Sequence, residues 1–333
     1  MDKKIVMQDI ANELNISKNS VSRALSGKSG ISDATRQDII NKAQEMGYNY
    51  KGENGNKVRH FAIIASLFTF SKKDFFGEIY SDIEKRLKKS NINLYVHSID
   101  NESLKNLDIP KTISEGSVEG IIILSHLTDD YIKKILSYKI PTVIIDYHSP
   151  VIPADCVIAK NKEGAYKAVQ YLIDNNHTKI GFIGDIGFSP SYEERWDGYL
   201  SALRKNNIKA NKEFTITKVI EEKEDVFKKL SKLKEHPTSW FCVNSGLGFL
   251  LSLYYNSIGM RVPRDVSIIC FDNTDFTRLA MPPLTSVYTD LSFFADKSLE
   301  LLNHRIYHPD EPFLNIALPT EIIERNSVAK LKL

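Results

Sequence analysis

From residue 60 onward the chain alternates short apolar runs with amphipathic stretches, and no other feature limits its fold as strongly. FAIIASLF leads to FGEIYSDIEKRLKKS and then INLYVHSI, and the rhythm returns in VEGIIILS, PTVIIDY, KIGFIGD, SWFCVN and VSIICFD. Strands that are apolar throughout have no face to give to water, so the pattern specifies parallel sheets covered by helices on both sides. A chain of 333 residues exceeds what one compact core usually serves, and two such sheets fit its length. No apolar run approaches the roughly 20 residues needed to span a bilayer. The start, MDKKIVMQDIANELN, lacks the apolar stretch of a signal peptide, so a cytoplasmic protein is expected. Cys156, Cys242 and Cys270 are odd in number, far apart and set in apolar sequence, which predicts reduced core residues.

The first 48 residues follow a different pattern. Met7, Ile10, Ala11 and Leu14 fall on one face of a short helix. Asn15-Ile16 breaks that helix, and Ser17 is placed to cap a second one running to Leu25, with Val21 and Leu25 inward. Gly27 and Gly30 form a loop, Ser32 caps a third helix with Ile39, Ile40, Ala43 and Met46 inward, and Gly47 stops it. Three short helices around one small core make a helix-turn-helix, in which the second helix enters the major groove. Lys18, Asn19 and Arg23 face outward there, and such side chains pair with guanine or adenine edges. A merely solvated helix face is the competing interpretation. Charge is consistent with a DNA-binding head: residues 1–59 carry ten Lys/Arg against seven Asp/Glu, although the formal net charge of the whole chain is only +2.

The words of this segment resemble the helix-turn-helix of the lactose-repressor (LacI/GalR) family. Its V-S-R-x-L-(S/N)-G signature stands as Val21 to Gly27, and its S-x-x-T-R as Ser32 to Arg36. The resemblance implies that Ser17, Lys18, Asn19, Ser22 and Arg23 are recognition-helix contacts, Met7 a helix-one contact, and Ser32 and Thr35 phosphate contacts. It extends over the body in Asp74-Phe75-Phe76, Asn161 to Ala165, Arg195-Trp196-Asp197-Gly198-Tyr199, Gly259 to Pro263, Pro282 to Val287 and Leu318 to Glu321. A periplasmic-binding-protein-like body is implied, with two doubly wound parallel-sheet subdomains around a ligand cleft. The expected division is a head at 1–48, a linker at 49–59, one subdomain from 60–159 and 290–317, and a second from 160–289 and 318–333.

Open α/β sheets bind ligands beyond the carboxyl ends of their strands, where this sequence supplies Asp146, Asn244 and Asp272. Arg195 stands at the family's effector-contact position, and its planar fork suits hydroxyls or a carboxylate. Phe75, Tyr147 and Trp196 are candidates to pack on a ring face. The family often has Asp-Asn where this chain has Lys160-Asn161. If Lys160 faces the cleft, an anionic carbohydrate or related metabolite is favoured; pairing of Lys160 with Glu163 is the alternative. The linker departs as well: Tyr48 is followed by Asn49 to Gly55 with neither proline nor leucine, and two glycines disfavour the hinge helix that wedges the minor groove in the family.

The expectation is therefore an allosterically gated regulator of the repressing kind, acting as a homodimer on pseudo-palindromic operator DNA, with no cofactor and no membrane partner. An enzyme is disfavoured because G-x-G-x-x-G, H-E-x-x-H and G-x-S-x-G are missing, as is a complete P-loop around Gly27-Lys28-Ser29. A transport solute-binding protein fits the body but not the head. His304 and His308, at i and i+4, have no third metal ligand evident in the sequence.

Overall fold

The computed structural model describes residues 5–25, 30–46, 48, 58–71, 75–125 and 127–332. The loop at Ser26 to Ser29, the stop at Gly47, the linker from Asn49 to Lys57 and Asp74 lie outside them. The chain forms two compact units, Met1–Arg59 and His60–Leu333.

The first unit contains α1 (Met7–Glu13), α2 (Lys18–Leu25) and α3 (Asp33–Glu45). Ile10, Ala11, Val21, Ala24, Ile39 and Ala43 make its core. Asn15 turns the chain in the left-handed region at φ 52°, which Asn tolerates better than most residues. Ser17 and Ser32 then act as caps: their hydroxyls accept from the N–H of Ser20 at 3.0 Å and Thr35 at 3.2 Å. Arg36 donates to the carbonyl of Ala24 at 2.8 Å, satisfying an end group of α2 and tying α3 to it.

In the second unit, β1 (Arg59–Ser66), β2 (Ile92–Ile99), β3 (Gly120–Leu124), β4 (Thr142–Ile145), β5 (Asp155–Ala159) and β11 (Asn315–Leu318) form one sheet, in the order β11-β5-β4-β3-β1-β2. Alternate residues of its central strands enter separate cores. Phe61, Ile63, Ile122, Leu124, Val143 and Ile145 pack on one face with α4 (Leu67–Ser71), α5 (Phe76–Lys89) and α14 (Leu291–Tyr307). Ala62, Ile64, Ile121, Ile123 and Ile144 pack on the other, with α6 (Asn101–Asn106), α7 (Lys111–Ser114) and α8 (Asp129–Leu136). Burial on both faces is why these strands read as unbroken apolar runs.

The second sheet has the order β12-β10-β9-β8-β6-β7, from β6 (Ile180–Ile183), β7 (Thr215–Ile216), β8 (Ser239–Cys242), β9 (Ser267–Phe271), β10 (Thr285–Tyr288) and β12 (Glu321–Ile323). Its helices are α9 (Asn161–Asp174), α10 (Pro190–Lys205), α11 (Lys223–Leu230), α12 (Ser245–Ser257) and α13 (Asp275–Leu279). Cys156, Cys242 and Cys270 are buried and free.

Three details differ from expectation. The second sheet is not wholly parallel: β12, which the chain reaches from β11 of the first sheet, pairs antiparallel with β10. Leu318 still pairs with Ala159 in the first sheet, so that subdomain extends one residue past the expected boundary. β1 starts at Arg59, inside the expected linker.

The chain passes between the two sheets three times: from β5 to α9, from β10 to α14 and from β11 to β12. The first and third crossings are joined by the N–H of Lys160, which donates to the Leu318 carbonyl at 2.9 Å. Helices α9 and α10 approach closely at Gly198, where a Cβ would collide with the carbonyl oxygen of Lys162 and stand 2.7 Å from the Ala165 methyl. Backbone cannot yield as a side chain can. Gly198→Val is therefore expected to cost about 1–3 kcal/mol or more of stability, read as a lower urea midpoint at unchanged m-value.

Candidate functional site

Two surfaces collect the polar residues singled out by sequence. On α2, Lys18, Asn19, Ser22 and Arg23 occupy an arc opposite the buried Val21 and Ala24. Ser17, Lys18, Asn19 and Arg23 are exposed, Ser22 is half-buried, and Ser32 and Thr35 are exposed at the start of α3, their hydroxyls 2.7 Å apart. Met7 is half-buried and packs against the head's core, so only part of it is accessible. Arg23 lies over Gly30, whose backbone is left-handed at φ 92°; a Cβ there would stand 2.9 Å from a guanidinium nitrogen. The loop glycine thus makes room for Arg23.

The second surface lies at the carboxyl ends of β4, β8 and β9. Arg195, on α10, is 2% exposed. Its Nε donates to Asn161 Oδ1 at 2.9 Å, and its Nη1 donates to the Val243 carbonyl at 2.8 Å and to Asp272 Oδ2 at 3.3 Å. The guanidinium also lies 3.7 Å from the centroid of the Phe271 ring, a stacking that desolvation strengthens. The close fit at Gly198, one turn further along α10, brings Arg195 to the first residue of α9, which explains why arginine and glycine occur together in R-x-x-G.

Asn244 caps α12 by accepting from the Leu247 N–H at 2.9 Å, while its amide donates to Tyr192 Oη and Glu221 Oε2, each at 2.6 Å. Asp146 and Asp272 both leave their strands in the left-handed region, at φ 58° and 68°, turning the backbone sharply at the strand ends. Asp146 belongs to the first subdomain and accepts from Ser191 of the second at 3.2 Å. A second link between the subdomains joins His148 Nε2 to Glu194 Oε1 at 2.9 Å, and Glu194 also accepts from Asn161 at 3.1 Å.

Electrostatics reflect this crowding. Burial pushes the Asp146 carboxyl from its ordinary 3.8 up to about 7, with Arg195 opposing the shift and Asp272 adding to it. Burial also raises Asp272, against the pull of Arg195. His148 is raised by its bond to Glu194. Burial alone would raise Glu194, but the bonds from His148 and Asn161 prevail and lower it.

Asp146, Arg195, Asn244 and Asp272 therefore come together, whereas four other expected contacts do not join them. Trp196 stacks on Tyr199 at 5.2 Å and meets Phe182 edge-on, since its position on α10 faces the sheet. Tyr147 is buried in the first subdomain with its hydroxyl on Asp129 at 2.5 Å. Phe75 packs on Phe76 and Phe294. Lys160 pairs with Glu163 at 3.3 Å, so it does not make the cleft cationic. Sequence reading missed Asn161, Tyr192, Glu194, His148 and Glu221, whose partners lie far away in the chain. A cavity of 850 Å³ opens nearby between α5 with the start of α14 on one side and Asn273, Arg278 and Ile323 on the other, but includes none of the four clustered residues. His304 and His308 stack at 4.7 Å and both approach Glu311, yet among the described residues no group of three such side chains is arranged to hold a metal.

A helix-turn-helix with an outward polar face and a two-sheet body with a polar cluster at its strand ends define a DNA-binding regulator with a ligand-binding body. Residues 6–50 match the model of bacterial regulatory proteins of the lacI family, and residues 169–328 that of a periplasmic binding protein-like domain. The chain thus carries a lacI-family helix-turn-helix and a periplasmic binding protein-like domain, and is a transcriptional regulator. It is 27% identical to the HTH-type transcriptional repressor PurR of Mannheimia succiniciproducens over 98% of this chain and 99% of that protein. Its fold is similar to that of the regulator CelR in complex with cellobiose, at TM-score 0.71 and 21% identity over 97% of this chain and 99% of that one. The lac repressor dimer bound to operator and the anti-inducer ONPF is also similar, at TM-score 0.70 and 19% identity over 98% and 100%. No helix among the described residues is long and apolar enough to cross a membrane.

The titration of Asp146 has a definite sign. Its folded value lies above the unfolded one, so between about pH 4 and pH 7 the native state holds a proton that the unfolded chain has lost, and stability falls as pH rises through that window. Asp146→Asn is expected to be less sensitive to pH than wild type across this range and to gain on it above pH 7, as thermal melts at pH 5 and pH 8 will show.

Proposed function

We propose that this protein is a cytoplasmic repressor that reads a pseudo-palindromic operator as a homodimer and is gated by a small carbohydrate or related metabolite held at Arg195, Asp272, Asn244 and Asp146. The observation that carries the DNA reading is the outward arc of Lys18, Asn19, Ser22 and Arg23 on a helix anchored from behind by Val21 and Ala24. Asn and Arg in that position offer bidentate pairing to adenine and guanine. Ser17, Ser32 and Thr35 present hydroxyls suited to phosphates, and Met7 a thioether edge.

For the ligand, Arg195 and Asp272 supply one donor and one acceptor group side by side, and Asn244 adds an amide, a set that suits vicinal hydroxyls. Cellobiose in the similar CelR complex supports this class. Apolar residues exposed around α12 and α13 support the dimer: Leu279 is 73% and Met281 80% exposed, next to the Phe249–Phe276 pair at 5.3 Å. Surface of this kind calls for a partner.

A gel shift with genomic fragments at fixed salt, with and without sugars, tests the reading; binding that no metabolite modulates would remove the gating. Arg23→Ala is expected to weaken operator binding by about 1–3 kcal/mol, roughly 5- to 150-fold, and to relax sequence preference at one position. Because the segment after Tyr48 has Gly52 and Gly55 and no leucine, a smaller operator bend than hinge-helix wedging gives is expected in a phasing assay.

A further inference from the structure

Two residues outside the expected DNA contacts hold Arg23 of the head where it stands. Arg36 of α3 donates from Nη1 to the Ala24 carbonyl at 2.8 Å and to that of Arg23 itself at 3.4 Å. Both carbonyls lie in the last turn of α2. The final carbonyls of a helix have no partner within it and carry partial negative charge, so a guanidinium there supplies donor and counter-charge together. The backbone that bears Arg23 is thereby tied to α3, whose own first turn Ser32 caps.

Gly30 receives the side chain. At φ 92° its backbone adopts a conformation that residues with a Cβ seldom take, and the three atoms nearest to a Cβ placed on it all belong to Arg23: Nη2 at 2.9 Å, Cζ at 3.4 Å and Nε at 3.8 Å. The guanidinium thus runs along bare backbone, while Arg23 remains exposed on the outward arc of α2. A long side chain that rotates freely has to be ordered when it meets a base edge, at a cost in affinity. One already seated against Gly30 is ordered in part before DNA arrives.

We propose that Gly30 and Arg36 are positioning residues of the DNA-reading surface: they touch no base themselves and set the sequence preference that Arg23 delivers, Arg36 by fixing its backbone and Gly30 by seating its guanidinium. The inference rests on the reading of α2 as the helix that enters the major groove. Its consequence is selective. Phosphate contacts carry affinity for any sequence and base contacts carry the choice among sequences, so moving Arg23 without touching Ser17, Ser32 or Thr35 lowers the second and spares the first.

Selection from a randomised duplex pool by the full-length protein, followed by binding at fixed salt to the preferred duplex and to a scrambled one, tests this. Gly30→Ala is expected to weaken binding to the preferred duplex by about 3- to 10-fold, to leave the scrambled duplex within about twofold, and to flatten the same position of the selected site that Arg23→Ala flattens. Added to Arg23→Ala, it is expected to change binding by less than about twofold. A loss of equal size on both duplexes, or one that persists undiminished in Arg23→Ala, shows a merely structural glycine and overturns the inference while leaving the DNA reading standing. Selection of no sequence by the wild type overturns the DNA reading and the inference with it. If Gly30→Ala does not fold, the same comparisons with Arg36→Lys decide, since lysine keeps the charge at the helix end and loses the planar fork.

Discussion

Arg195 is a cation taken out of water, and much of the second subdomain is arranged to keep it there. A buried guanidinium is costly unless its charge is matched and its donors are used. Asp272 supplies the charge, Asn161 and the Val243 carbonyl accept, and Phe271 covers the plane. These partners come from the start of α9 and the ends of β8 and β9, so one side chain fixes where three elements stop or begin. Gly198 allows the approach of α10 that delivers it. Removing the cation would leave carboxylates without their counter-charge, a larger loss than the sum of the bonds.

Much of the architecture was legible because it follows from local rules. Unbroken apolar runs mark strands covered on both faces, and Ser17 and Ser32 announce helix starts that the head contains. Asp146, Asn244 and Asp272 were legible as strand-end candidates for the same reason: each directly follows an apolar run, where open sheets receive ligands. What escaped depends on pairings between distant segments. Glu221 sits in the acidic stretch EEKED, which reads as the solvated start of a helix, and its link to Asn244 spans 23 positions. His148 and Glu194 are 46 apart. Trp196 and Tyr147 could not be placed because an aromatic beside a polar run serves equally in core or cleft, and only the packing of Tyr199 or Asp129 decides. The direction of β12 was illegible too, since a three-residue strand carries no sign of how its neighbour runs.

The two links between subdomains differ in kind from the bonds around Arg195. Asn161, Val243, Asp272 and Asn244 all belong to the second subdomain, so that part of the site persists whatever angle the two halves adopt. Among the described residues, the hydrogen bonds of Asp146 with Ser191 and of His148 with Glu194 span them. A ligand held entirely by the persistent part would bind every arrangement of the halves equally and, however tightly it bound, would shift no population. On the proposed reading of this cleft, signalling strength is set separately from affinity: the second subdomain would determine how long a ligand stays, and the short loop after β4 whether its stay is noticed.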